Sequence, residues 1–173
     1  TDDLLLAADR VLSQEKLPNI AYHLTALGLE EIGKAELVGI SHASRSKGEE
    51  QGWSSKHVED HAKKLFWALW GPSFGRELIT KNQIEEFQGL AQNIHETRLR
   101  GLYVSADQEN FVPPKDAVSV AAAENLLSLT KARLGLAKTA QPKEALTDGE
   151  RADVAWFLTA TSVSSARDIL NVT

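Results

Sequence analysis

The stretch from Ala21 to Gly39 reads A-Y-H-L-T-A-L-G-L-E-E-I-G-K-A-E-L-V-G, and its periodicity decides the fold class. At 3.6 residues per turn, Ile20, Leu24, Leu27, Glu31, Ala35 and Val38 share one face of a helix. The rest of that stripe is apolar or small, so Glu31 reads as a charge interrupting a core face. A second face carries Ala21, Thr25, Gly28, Ile32, Ala35 and Gly39, small enough for another helix backbone to come close. Glycine costs about 1 kcal/mol against alanine inside a helix. Gly28 and Gly33 therefore mark either a packing demand or simple tolerance. Such a helix belongs in the middle of a bundle, and a carboxylate on it needs partners nearby.

Outward from this helix the chain is helical almost throughout. Asp2 or Asp3 can start a first helix reaching about Glu15, and Pro18 suits the first turn of the central helix, which is expected to run to about Ile40. Ser41 to Gly52 is polar, glycine-containing and without periodicity, a loop signature. Ser54 can cap a third helix ending before Gly71-Pro72. Thr80 and Gln83 have capping-box spacing for a fourth, which continues to Arg100. The segment 102–114 is short, β-prone and turn-rich, and is expected to be an irregular or hairpin-like excursion. A fifth helix starts at Lys115 or Asp116 and runs to about Lys138. A sixth, opened by the capping box Thr147 to Glu150, carries Val154, Phe157, Leu158 and Thr161 on one face. The expectation is an all-α bundle of five or six helices, one domain over residues 1–173.

With 173 residues the chain can bury a sizeable core, and a 42% hydrophobic and 25% charged composition is ordinary for a globular protein. The formal net charge of −5 argues against broad nonspecific nucleic-acid binding but leaves room for a local basic site. No cysteine is present, which excludes disulfides and thiolate chemistry. No apolar run is long enough for a bilayer span, so no membrane partner and a cytoplasmic location are expected.

Three constellations could carry chemistry. In Glu30-Glu31-x-x-Lys34, Glu30 and Lys34 have the spacing of a surface ion pair, which leaves Glu31 as the anomalous carboxylate. In His57-x-x-x-His61-x-x-Lys64, the two histidines have metal-ligand spacing, but no third ligand stands nearby and no metal or cofactor is expected. His61 interrupts its own apolar stripe as Glu31 does, and pairing Glu31 with His61 or Lys64 would resolve both. The third is His95 to Val104, a cationic helix end with Arg98 and Arg100, then a turn and Tyr103. It reads either as a helix terminus stabilised by arginine or as an anion site.

These stretches together resemble the abortive-infection protein V (AbiV) family of bacterial phage defence. The matching residues are A-L-G-L-E-E-I-G-K (Ala26–Lys34), D-H-A-K-K-L (Asp60–Leu65), R-L-R-G-L-Y-V-S (Arg98–Ser105) and F-V-P-P (Phe111–Pro114), within about residues 1–140. The resemblance implies an all-α fold related to the HEPN superfamily, whose members often dimerise. It also implies a role in stopping phage propagation through RNA or translation in infected cells. Many HEPN proteins are metal-independent ribonucleases with an Arg, four to six residues, then a His. This sequence departs from that motif, and its nearest approach is Lys56 to His61.

The expected site is therefore a polar cluster of Glu31, His61 and Lys64 with Arg98 close by, and Lys34, Arg100 and Tyr103 as binding residues. His61 would act as acid or base, and Lys64 or Arg98 would stabilise phosphorane charge. The expected partners are RNA or a ribosome-associated target, a phage protein, and a second copy of the chain. The alternative is a non-catalytic protein that acts through a phage or ribosomal partner, with Ser41–Gly52 or Tyr103–Pro114 as its contact surface.

Overall fold

The structure, a computed structural model, describes residues 1–44, 60–71, 81–103, 105–107, 110–139 and Thr147. Helix α1 (Asp2–Arg10) passes into a π-type turn (Val11–Glu15), which Lys16 closes in the left-handed region with φ of 56°. Pro18 then opens the central helix α2 (Pro18–Ser44), where its missing N–H has no helical partner to lose. Helix α3 (His61–Trp70) begins at Asp60, whose side chain accepts from the Lys63 N–H at 3.1 Å. Helix α4 spans Lys81–Arg100. A two-stranded antiparallel hairpin follows, β1 (Ser105–Asp107) with β2 (Asn110–Val112), in the register Ser105 to Val112 and Asp107 to Asn110. A 3₁₀ turn (Pro114–Asp116) leads to α5 (Val120–Thr139).

The architecture is an all-α bundle with a small hairpin inserted between α4 and α5. Helix α2 is its axis, in contact with α1, α3, α4 and α5. The core is formed by Leu5 and Ala8 of α1, Ala26, Leu29 and Ile32 of α2, Leu65 and Trp67 of α3, Ile94 of α4, and Leu126 of α5. Among the aromatics, Trp67 and Trp70 meet edge to face at 5.1 Å between centroids.

Several boundaries differ from the sequence expectations. Helix α2 continues through Ser44, into the segment expected to be loop, while 45–52 lie outside the described residues. Ser54, Thr80 and most of the sixth helix also lie outside them. Helix α5 starts later than Lys115 because the prolines hold a 3₁₀ turn first, and Ser119 caps it by accepting from the Ala122 N–H at 3.1 Å.

The larger correction concerns the faces of α2. The stripe through Glu31 and Val38 is its most exposed strip, and the buried positions among its described residues are Asn19, Ala21, Tyr22, Thr25, Ala26, Gly28, Leu29, Glu30, Ile32, Gly33 and Leu37. Four helices cover α2, so nearly its whole circumference is interior and only a narrow strip meets water. Apolar periodicity cannot locate that strip. The small face is used inside the chain. A methyl group on Gly28 would meet Leu5 at 3.2 Å, and the far end of this face, Ala35 and Gly39, is open. Gly33 is a true packing demand: a methyl there would overlap the Lys64 carbonyl and come within 2.9 Å of the Ala68 nitrogen. At this point the backbones of α2 and α3 touch.

Candidate functional site

One buried carboxylate organises three helices. Glu30 projects from α2 with its side chain 3% exposed. Its Oε1 accepts from the Arg98 guanidinium of α4, and its Oε2 accepts from His61 Nδ1 at 2.7 Å and stands 3.2 Å from Lys64 Nζ, both on α3. Such a group is tolerable in a core only when ionised partners satisfy its oxygens. The contact between α2 and α3 at Gly33, one turn beyond Glu30, is what lets the His61–Lys64 turn reach it.

This corrects the expected pairing. Glu31 does not meet His61 or Lys64. Its side chain is 51% exposed and its nearest partner is Lys34 at 3.9 Å, a loose surface pair. Glu30, assigned by spacing to the surface, is the buried member. The physical reason is the 100° between successive residues on a helix, which turns one carboxylate inward and the next to solvent. The structure brings His61, Lys64 and Arg98 together and leaves Glu31 and Lys34 on the outside. Arg100 is exposed and reaches Thr97 Oγ1 at 3.4 Å, and Tyr103 is 65% exposed at the end of α4.

Two further histidines belong to the cluster. The His95 ring stacks on His61 with centroids 5.6 Å apart and planes 16° from parallel. Its Nδ1 accepts from Arg98 at 3.3 Å, which requires a lone pair on that nitrogen. Burial and the positive charge of Arg98 hold His95 below the ordinary imidazole range, with Glu30 opposing. His23, on α2, is lowered by burial and by Arg98, again with Glu30 opposing. A sequence signal for this arrangement exists. His61-x-x-Lys64 and His95-x-x-Arg98 repeat one pattern on two helices, each placing an imidazole and a cation one turn apart.

The hydrogen bonds fix the tautomers. A carboxylate can only accept, so His61 carries hydrogen on Nδ1 and its Nε2 is the nitrogen left for a substrate. His95 is bonded the other way round, with hydrogen on Nε2. The side chain of His61 is 47% exposed, so a base of this kind is open to solvent. One carboxylate faces a lysine and an arginine, which gives the cluster more basic than acidic groups beside that opening. Among the described residues, no group of three or more histidines and carboxylates is placed to hold a metal ion. His57 lies outside the described residues.

A second buried pair lies further along α2. Arg133 of α5 donates to Glu36 at 2.6 Å and to the Ala68 carbonyl of α3. Burial raises the Glu36 carboxyl, and Arg133 opposes this. Gly71 leaves the room this carboxylate occupies, since a methyl there would overlap it. This pair ties α2, α3 and α5, with the Arg133 side chain 6% and the Glu36 side chain 23% exposed.

Comparison with known proteins gives one finding. The HEPN_AbiV family model, described as AbiV, matches residues 1–135. That span holds every residue of the Glu30 cluster and ends within α5. Neither the curated proteins nor the solved structures yielded a match.

Proposed function

The chain belongs to the AbiV family of HEPN proteins, a family of abortive infection and phage defence, and from that premise and the Glu30 cluster we propose that it cleaves RNA without a metal ion. The observation that carries the proposal is the Glu30 carboxylate holding His61 by Nδ1, with Lys64 and Arg98 on the same carboxylate. The ring is oriented by a buried acceptor, and its other nitrogen is free to take a proton.

In the proposed step, His61 Nε2 removes the proton of a ribose 2′-hydroxyl. The 2′ oxygen bonds to the adjacent phosphorus, and the bond from phosphorus to the 5′ oxygen breaks. The products are a 2′,3′-cyclic phosphate end and a 5′-hydroxyl end. The leaving oxygen takes its proton from water, and the His61 imidazolium returns its own to solvent. Charge growing on the phosphoryl oxygens is met by the Lys64 and Arg98 side chains. His95 adds an N–H donor beside the same opening. Cleavage of this kind in the cytoplasm of an infected cell would stop translation, and two copies acting as a homodimer would double the basic surface offered to RNA.

The test is expression of wild type, His61→Ala and Glu31→Ala during phage infection, with RNA integrity and plaque formation both measured. His61→Ala leaves Glu30 paired with Lys64 and Arg98, so the bundle should persist. RNA fragments and protection in wild type and Glu31→Ala, and neither in His61→Ala, are the expected result. Protection retained by His61→Ala with RNA intact throughout would sink the nuclease reading. It would favour action through a ribosomal or phage protein, for which exposed Arg100 and Tyr103 offer a contact surface. Light scattering on the purified protein tests the homodimer.

A further inference from the structure

Two contacts bear on the ring of His61. Glu30 Oε2 accepts from its Nδ1 at 2.7 Å, which fixes the nitrogen that carries hydrogen. That bond alone does not fix the plane of the ring, because the outer torsion of a histidine side chain has a broad well. With the side chain 47% exposed, packing restrains it only in part. The second contact is the His95 ring, stacked at 5.6 Å between centroids and 16° from parallel. His95 is itself tied down, since its Nδ1 accepts from Arg98 at 3.3 Å and Arg98 also donates to Glu30. Glu30, His61, His95 and Arg98 thus close a circuit in which each side chain touches two of the others.

We propose that His95 is the positioning residue of the base: its ring holds the plane of His61, so that Nε2 is presented to the 2′-hydroxyl in one orientation. The role rests on His61 being the base of RNA cleavage. Position 95 has two demands on it. Arg98 takes an acceptor there, and His61 takes a flat face. An imidazole with a lone pair on Nδ1 supplies both, whereas an aliphatic side chain would cover the ring without fixing its plane. Charge adds a third demand. When His61 takes the proton, a second imidazolium stacked on it would repel it. Burial and Arg98 hold His95 below the ordinary imidazole range, His61 adds to this, and Glu30 and Asp60 oppose it. His23 of α2 is lowered by burial and Arg98 in the same way, and Lys64 stands 3.2 Å from Glu30 Oε2. The charge formed on His61 therefore meets a carboxylate at its Nδ1 edge and an uncharged ring on its face.

The test reads the His61 ring itself, by NMR on the full chain with isotope-labelled histidine. The chain has five histidines, and the signals lost in His61→Ala assign the one in question. Relaxation of the ring carbons reports its motion, and the ring nitrogen shifts report its tautomer. Wild type and His95→Phe, which keeps a flat ring, should show an ordered His61 ring with hydrogen on Nδ1. His95→Ala should loosen the ring while hydrogen stays on Nδ1, because Glu30 is untouched; that retained tautomer shows that the cluster has not collapsed. On a single-stranded RNA oligonucleotide, kcat should fall about tenfold to a hundredfold in His95→Ala, with KM within about twofold of wild type. His95→Phe should recover most of the loss. A ring as ordered in His95→Ala as in wild type would overturn the proposal, as would an unchanged kcat in a variant whose ring is loose. Should the alanine protein unfold, His95→Leu fills the volume without a flat ring and decides by the same ring motion. RNA left intact by wild type would count against cleavage alone, since the motion is measured without RNA and still shows whether His95 holds His61.

Discussion

Gly33 of α2 lies against the carbonyl of Lys64 on α3, with no room for a side chain between them. This contact sets the separation of the two helices one turn from Glu30, and so fixes how His61 and Lys64 meet the carboxylate. Gly33→Ala should therefore reverse the usual sign of such a change. Alanine gains about 1 kcal/mol in helix propensity, yet forcing two backbones apart costs about 1–3 kcal/mol. Denaturant unfolding should show a net loss, and RNA cleavage should fall with it. A stabilised Gly33→Ala protein would show that the helices do not touch there.

Removing Glu30 should be far more damaging than removing its neighbour. Glu30→Ala leaves Arg98 and Lys64 buried without their carboxylate, at about 3–5 kcal/mol. Glu31→Ala deletes a loose surface pair and should change stability by less than about 0.5 kcal/mol. Unfolding midpoints of the two variants, measured side by side, check the assignment.

Arg133 offers the corresponding test away from the site. Arg133→Met leaves the Glu36 carboxylate buried and unpaired, and should cost about 3–5 kcal/mol. Adding Glu36→Gln removes the stranded charge and should recover a good part of the loss. Additive effects in this double-mutant cycle would show that the two side chains are not coupled.

The pH dependence has a definite sign. His95 and His23 are both held below their ordinary value of 6.5. In the unfolded chain they take up protons at a pH where the folded protein does not, so the unfolded state gains. Their contribution is fully present above pH 6.5 and is lost as pH falls through that value towards the lowered folded pKa. Stability measured from pH 7.5 downward (about one unit to either side of 6.5) should decline in wild type, and decline less steeply in His95→Gln and His23→Gln. An unchanged slope in both variants would remove these histidines from the account.

The bundle was legible because Pro18, the apolar spacings and the prolines after β2 each act locally. A misplaced charge on α2 is legible too, but the apolar period points to Glu31, whereas the buried carboxylate is Glu30. A helix packed on one side announces its core by apolar period. Helix α2 is packed by four neighbours, so its stripe of Leu24, Leu27 and Val38 borders the solvent strip. Choosing between Glu30 and Glu31 needs the position of α3, which Gly33 determines across a gap in sequence. His95 was visible in the cationic end of α4, but its role depends on stacking with His61, a relation between helices. The small face of α2 pointed to the close approach of another helix, and at Gly28 that helix is α1 through Leu5, while Ala35 and Gly39 stay open.

Glu30 and Arg98 are 68 residues apart, and at about 5–20 residues per second the ribosome takes roughly 3–14 s to supply the second after the first. For that interval the nascent α2 carries a carboxylate that lacks its native arginine, with His61 and Lys64 arriving about halfway. Burying α2 early against whatever apolar chain has appeared would strand the charge. The carboxylate thus ties the burial of α2 to the arrival of both later helices: α3 satisfies one oxygen through His61 and Lys64, and only α4 brings the guanidinium for the other.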